Sequence, residues 1–141
     1  MAQLTERQLD LFREPNYAVV ATLTADGSPH MSVMWVDEEG GRPRFNTTTD
    51  RAKNRHAGRD PRVSILVMDR HDPYCYIQVE GLAELSEDGA REHVNQLPRK
   101  YRGGDFPVAE NRVMVSVSPT RVYEYTHGPP PVVPSSEKPQ G

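Results

Sequence analysis

RFNTTTDRAKNRHAGRDPRVSILV, residues 44–67, is the stretch that decides how this chain is organised. It predicts a strand, a Thr-rich turn, a short cationic helix and a second apolar strand entered through Asp60-Pro61. Thr47, Thr48 and Thr49 stand directly before Arg51, Lys53 and Arg55. Hydroxyls, backbone N–H groups at a helix start and fixed cations together suit a phosphate group. Charged residues on a short helix are also commonly just a solvated face. Placement argues for more than that. Arg51 and Lys53 fall in the first turn, where a cation opposes the helix dipole, and a bound phosphate would reverse the sign of that interaction. Arg51 and Arg55 share a face at i,i+4 while Lys53 projects from the other side, so one phosphate need not touch all three.

Outward from this segment the chain alternates short strands with tight turns. Upstream, Thr5-Glu6-Arg7-Gln8 fits a capping box, and Leu4, Gln8, Leu11 and Phe12 give a short helix ending before Pro15. YAVVATLT, residues 17–24, predicts a strand, and Asp26-Gly27 a hairpin turn. The returning strand PHMSVMWV, residues 29–36, places Met31, Val33 and Trp35 on one face and His30, Ser32 and Met34 on the other. A turn over 38–41 and a third strand over 42–47 lead into the cationic helix.

Downstream, VSILVM is a nearly continuous apolar run that suits a strand buried on both faces. Residues 74–85 predict a long strand with a bulge or bend at Gly81. Ser86 is the expected cap of a helix carrying Ala90, His93, Val94 and Leu97 on one side. RKYRGGDFP, residues 99–107, is expected to be a loop, and 113–117 and 121–125 two strands joined around Pro119. From Gly128 the composition falls to Pro, Ser, Gly and charge, so residues 1–127 are expected to form one domain and 128–141 a tail. Six or seven strands at hairpin spacing with three short helices predict a mainly β fold, a small antiparallel barrel.

Composition limits the function classes. The chain has 141 residues, and a domain of this size buries roughly two-thirds of its unfolded surface. Hydrophobic residues make up 35%, so the core is modest and a partner subunit could complete it. A net charge of −3 argues against a nucleic-acid or anionic-membrane partner. The single Cys75 has no internal partner, which suits a reducing cytoplasm, and no apolar run approaches the ~18 residues of a membrane span. No Cys, His and carboxylate spacing suits zinc, so no metal is expected.

Four blocks carry a resemblance: YAVVATLTADGSPHMSVMWV, TDRAKNRHAGRDPRVSILV, DPYCYIQVEGLAEL and RVMVSVSPTRVYEY. In order and spacing they resemble the split-barrel flavin and deazaflavin oxidoreductases related to pyridoxamine 5′-phosphate oxidase. The branch most resembled is that of small actinobacterial enzymes using the deazaflavin coenzyme F420. The likeness spans roughly residues 10–125, and the RxKxRxxxxDPR block is its most specific part. It implies a six- to seven-stranded antiparallel split barrel, a homodimer with cofactor sites at the interface, and a small-molecule substrate. By position it implies that Arg51 and Lys53 hold the cofactor phosphate, with Thr47, Thr48 and Thr49 supplying hydroxyl and backbone donors. Met31, Ser32, Val33, Met34 and Trp35 match the strand whose backbone runs along the ring, and Tyr74 and Tyr76 match positions bordering ring or tail across the dimer. Cys75 and Val33-Met34 depart from more polar residues in relatives, so no substrate is carried over.

The implied activity is hydride transfer from reduced F420 to a small conjugated acceptor. Flavin mononucleotide is the alternative cofactor, since its phosphate suits the same cations, and a non-catalytic F420 carrier or sensor is the alternative role. His30 is a candidate proton donor because imidazole titrates near neutrality, although a histidine on a strand's second face is more often structural.

Overall fold

The computed structural model describes residues 2–49, 52–104 and 111–126, without the side chains of Lys53 and Asn54. Arg51, the 105–107 part of the expected loop and the tail from 128 therefore lie outside the described residues.

Helix α1 spans Glu6–Arg13. Its capping box forms as expected: the Gln8 N–H donates to Thr5 Oγ1, and the Thr5 N–H donates to Gln8 Oε1 at 2.9 Å. The helix buries Leu9 and Phe12, while the Gln8 side chain reaches out to Glu124. Strands β1 (Ala18–Leu23) and β2 (Pro29–Met34) pair antiparallel, Ala18 opposite Met34. Their turn is set by Gly27 at φ 88° and by Asp26, whose carboxylate accepts the Ser28 N–H at 3.0 Å.

A short strand absent from the sequence reading, β3 (Asp37–Glu39), pairs with β4 (Arg42–Thr48) across Gly40 and Gly41. Both glycines have positive φ, which a tight two-residue turn demands. Helix α2 (Ala52–Arg59) follows, then β5 (Arg62–Met68) and β6 (Cys75–Ser86). β5 is not buried on both faces: Val63, Ile65 and Val67 point inward while Ser64, Leu66 and Met68 are half-buried. Its continuous hydrophobicity reflects a second face that is only partly covered.

Helix α3 runs Ala90–Arg102, longer than expected at its C-terminal end. Gly89, not Ser86, occupies its N-cap; Ser86 remains in β6 opposite Met114. The helix continues through Pro98 and ends at Gly103, whose φ of 72° permits the left-handed stop. An internal proline normally breaks a helix. Here the turn beyond it is tied down by Lys100 and Tyr101, described below.

The last two expected strands are one, β7 (Arg112–Thr126). It pairs with β6 along its length, with a register shift where Glu80 faces Arg121 and Gly81 faces Pro119. Thr120 is the extra residue of that bulge, and its hydroxyl donates to Glu80 O at 3.1 Å. Pro119, which has no N–H to give, sits where the ladder is already interrupted.

Among the described residues, seven strands form one antiparallel sheet in the order β2-β1-β5-β6-β7-β4-β3. Val20, Phe45, Ile65, Val79 and Val115, drawn from five of them, are fully buried in a single cluster with Phe12 of α1. A flat sheet could not gather those residues, since β1 and β4 would lie ~19 Å apart at the usual strand spacing. The sheet curls, and the eight-residue α2 touches β1, β4 and β6 together. The fold is thus mainly β with three short helices, as the pattern predicts. No helix among the described residues is long and apolar enough to cross a membrane.

Candidate functional site

β2 is one edge of the sheet, so only β1 pairs with it among the described residues. An edge strand offers main-chain N–H and C=O groups on its second side. Alternation holds as expected. Met31 and Val33 are 65% and 67% exposed, a high value for apolar side chains, while His30, Ser32 and Met34 turn inward.

The inward face is polar beneath α2. The His30 ring packs edge-on against His56 of α2, centroids 5.2 Å apart, and His56 Nδ1 lies 3.1 Å from the Thr22 hydroxyl. Nδ1 of His30 and Oγ of Ser32 are buried with no hydrogen-bond partner among the described residues. The same holds for Oγ1 of Thr47, in a fully buried residue of β4. Buried polar atoms are nearly always paired, so three orphans, two in β2 and one in β4, are a chemical feature.

The Thr-rich turn is shorter than the sequence suggests. β7 begins at Arg112, which gives Thr47 and Thr48 partners in Val113 and Arg112 and keeps both in β4. Only Thr49 is in the turn, and its N–H already donates to Asn111 O at 2.9 Å. The first turn of α2 carries no acidic residue.

Where β2 leaves the sheet, a cleft of about 220 Å³ opens. Tyr17, Val33, Met34 and Trp35 form one wall, Val94 and Leu97 of α3 another, and Asn46 and Arg112 supply polar lining. Asn46 belongs to a buried relay that the sequence reading missed. Its Oδ1 accepts from Arg112 Nε at 2.8 Å, and its Nδ2 donates to Ala90 O at 2.8 Å and to His93 Nδ1 at 3.1 Å. His93 Nε2 then donates to Asp37 Oδ1 at 2.9 Å, and Asp37 takes both Nε and Nη2 of Arg44. This order of donors fixes the His93 tautomer with the proton on Nε2. Burial opposes the Asp37 charge, but the hydrogen bonds from His93 and Arg44 outweigh it and hold the carboxyl below its usual value. The available signal was a polar Asn46 in a strand that is otherwise buried.

Lys100 and Tyr101, placed in a loop by the sequence reading, lie in the last turn of α3. Lys100 Nζ donates to Phe12 O at 2.7 Å and also to Val36 O. The Tyr101 hydroxyl accepts the Val36 N–H at 3.0 Å and donates to Asn16 O, and its ring stacks on Trp35. Burial pushes the Lys100 ammonium down to about 8 and the Tyr101 phenol up to about 12.

The remaining expected site residues lie apart. Tyr76 stacks on Tyr125 of β7 at 5.4 Å, and Tyr74 sits in the preceding turn. β5 and β1 stand between β6 and β2 in the strand order, so Tyr76 is on a strand that does not pair with β2, and Tyr74 precedes that strand. Cys75 donates weakly to Asp72, and burial first, then that carboxylate, raises its thiol above the usual value.

The family model described as pyridoxamine 5′-phosphate oxidase matches residues 4–126. A solved F420 reductase superposes with a TM-score of 0.73 at 32% identity, covering 85% of this chain and 98% of its own. The General Stress Protein 26 of Bacillus anthracis gives 0.66 at 26% identity, covering 85% and 92%. A conserved hypothetical protein of Mycobacterium tuberculosis gives 0.76 at 23% identity over 96% and 99%, a likeness of fold. No curated protein matches the chain. On the family match and the shared curled antiparallel sheet, the chain belongs to the pyridoxamine 5′-phosphate oxidase family.

Proposed function

We propose that this protein is a cytoplasmic F420-dependent oxidoreductase acting on a small conjugated acceptor, with its sites shared between two copies of the chain. The observation that carries the reading is the exposed edge of β2 beside the apolar cleft, with buried, unpartnered polar atoms in β2 and β4 among the described residues. The 32% identity to a solved F420 reductase supports it.

The residues present suit the group. The main chain over Met31–Trp35 offers donors and acceptors to ring heteroatoms, and Val33, Met34 and Trp35 give that side an apolar wall. The Thr47 hydroxyl is buried without a partner among the described residues, close in sequence to the start of α2. Arg51 and Lys53, with Thr48 and Thr49 before them, are assigned to the phosphate on sequence grounds. Bound F420 supplies a hydride, and the chain positions it. No side chain is assigned as an essential acid; His30 is the residue whose replacement tests for one.

A second copy is part of the proposal. Exposed Tyr17, Met31 and Val33 suit burial against a partner, and Tyr74 and Tyr76 are assigned to the ring or tail of the partner's site on the resemblance. The lone thiol of Cys75 suits a reducing compartment.

Titrating the purified protein with oxidised F420 and with flavin mononucleotide, by fluorescence, tests the cofactor. Tighter binding of F420, followed by oxidation of reduced F420 with an acceptor panel, is the expected result. Preference for flavin mononucleotide would replace the cofactor, F420 binding without turnover would indicate a carrier, and failure of both would overturn the reading.

A further inference from the structure

The C-terminal turn of α3 is bound to main chain from two distant parts of the fold. Lys100 Nζ spans Phe12 O, at the end of α1, and Val36 O, just past β2. Tyr101 takes the Val36 N–H and donates to Asn16 O, so both polar main-chain groups of Val36 are held by adjacent residues of one helix. Val36 and Asn16 are fully buried, and Asn16 is itself fixed: its Nδ2 donates to Leu11 O and its Oδ1 accepts the Arg70 N–H, both at 2.9 Å. The aromatic contacts converge on the same place. The Tyr101 ring lies 5.3 Å from that of Trp35 at an interplanar angle of 10°, and 5.5 Å from Tyr17; the Arg102 guanidinium sits 5.4 Å from the Trp35 ring.

β2 needs such support. It is an edge strand, and its pairing with β1 stops at Met34. Trp35 and Val36 lie beyond that ladder, yet Trp35 walls the cleft and ends the stretch read as ring-bearing. The side chains of Lys100 and Tyr101 do not line the cleft. Their contacts instead fix the residues that do.

We propose that Lys100 and Tyr101 are positioning residues for the candidate site, clamping the end of β2 through Val36 and setting the plane of Trp35. The functional consequence rests on the cofactor reading above; the mechanical one does not. The clamp also accounts for the continuation of α3 through Pro98, because the turn after the proline is the one that carries it.

Trp35 is the only tryptophan, so its emission reports the clamp without added cofactor. The test compares the full chain with Tyr101→Phe, which keeps the ring and removes the hydroxyl, with Lys100→Met, and with the distant core variant Val115→Ala as a stability control. Far-UV circular dichroism, Tm, acrylamide quenching of Trp35 and F420 affinity are measured for each. Tyr101→Phe is expected to stay folded, to raise Trp35 quenching about twofold and to weaken F420 binding roughly three- to tenfold, the scale of one or two lost hydrogen bonds. Val115→Ala is expected to lower Tm while leaving quenching and affinity unchanged. Tyr101→Phe quenching equal to that of Val115→Ala would overturn the clamp, whether or not Lys100→Met folds. Increased quenching in a protein that binds neither F420 nor flavin mononucleotide would keep the clamp and reject the cofactor reading.

Discussion

Asn46 and His93 meet in the interior at 3.1 Å, Nδ2 to Nδ1, where β4 faces the first turn of α3. This contact joins two halves of a polar relay from Arg112 to Arg44 and fixes the helix whose far end holds β2. A buried relay of this kind is costly when one member is removed, because its neighbours are left unpaired.

Asp37 is the acidic member of the relay and partners both His93 and Arg44. Asp37→Ala is expected to destabilise by about 2–4 kcal/mol in urea unfolding. The acid limb follows from its lowered carboxyl value. Its stabilisation is fully present above the ordinary value of 3.8 and is lost as pH falls through the lower folded value. Stability differences between wild type and Asp37→Asn should therefore shrink below about pH 4. A constant difference down to pH 2 would remove Asp37 from the acid response.

Lys100 gives a dependence of the same sense in a higher pH window. Burial lowers its ammonium from 10.5 to about 8, so between those values the unfolded chain holds a proton that the folded chain has released. Stability from this group rises with pH across that window. Unfolding free energies at pH 7.5 and 10, wild type against Lys100→Met, should diverge in favour of wild type. A difference that falls on going to pH 10 contradicts the buried ammonium.

Two glycines separate packing from propensity. A Cβ on Gly81 would lie 2.4 Å from Ser118 O and 2.6 Å from Val117 Cγ1, so Gly81→Ala should cost about 1–3 kcal/mol. On Gly58, within α2, the nearest atom would be Leu85 Cδ1 at 3.7 Å, an ordinary contact. Gly58→Ala should stabilise by about 0.4–1 kcal/mol through helix propensity. Thermal unfolding of the pair reads both signs at once.

At the proposed phosphate anchor, Lys53→Ala should weaken F420 affinity by about 1.5–3 kcal/mol, the scale of a charge-assisted hydrogen bond. The loss should diminish at high salt. Unchanged affinity would remove Lys53 from the anchor.

Much of this was legible in the linear chain. Period-two alternation through 29–34, short of the expected 36, the Asp26-Gly27 turn and the capping box at Thr5 are local signals, and each is present in the structure. Gly81 announced a bulge because a strand glycine marks close backbone approach. Other elements were set by remote partners. Thr47 and Thr48 remain in a strand because β7 supplies Val113 and Arg112, and α3 outlasts Pro98 because its last turn has carbonyls of α1 and β2 to hold. Asn46 carries no local signal of its partners, which are set when the chain between it and Ala90 folds back and brings its Nδ2 to Ala90 O and His93.

The sequence by itself determined the strand and turn pattern, the family and the cationic start of α2, because periodicity, turn chemistry and motif spacing are properties of neighbours along the chain. The tertiary structure alone decided which strand is an edge, which polar atoms are buried without partners, and that Lys100 and Tyr101 grip Val36. Those depend on strand order and on helices packed across the sheet, and no local interaction encodes them.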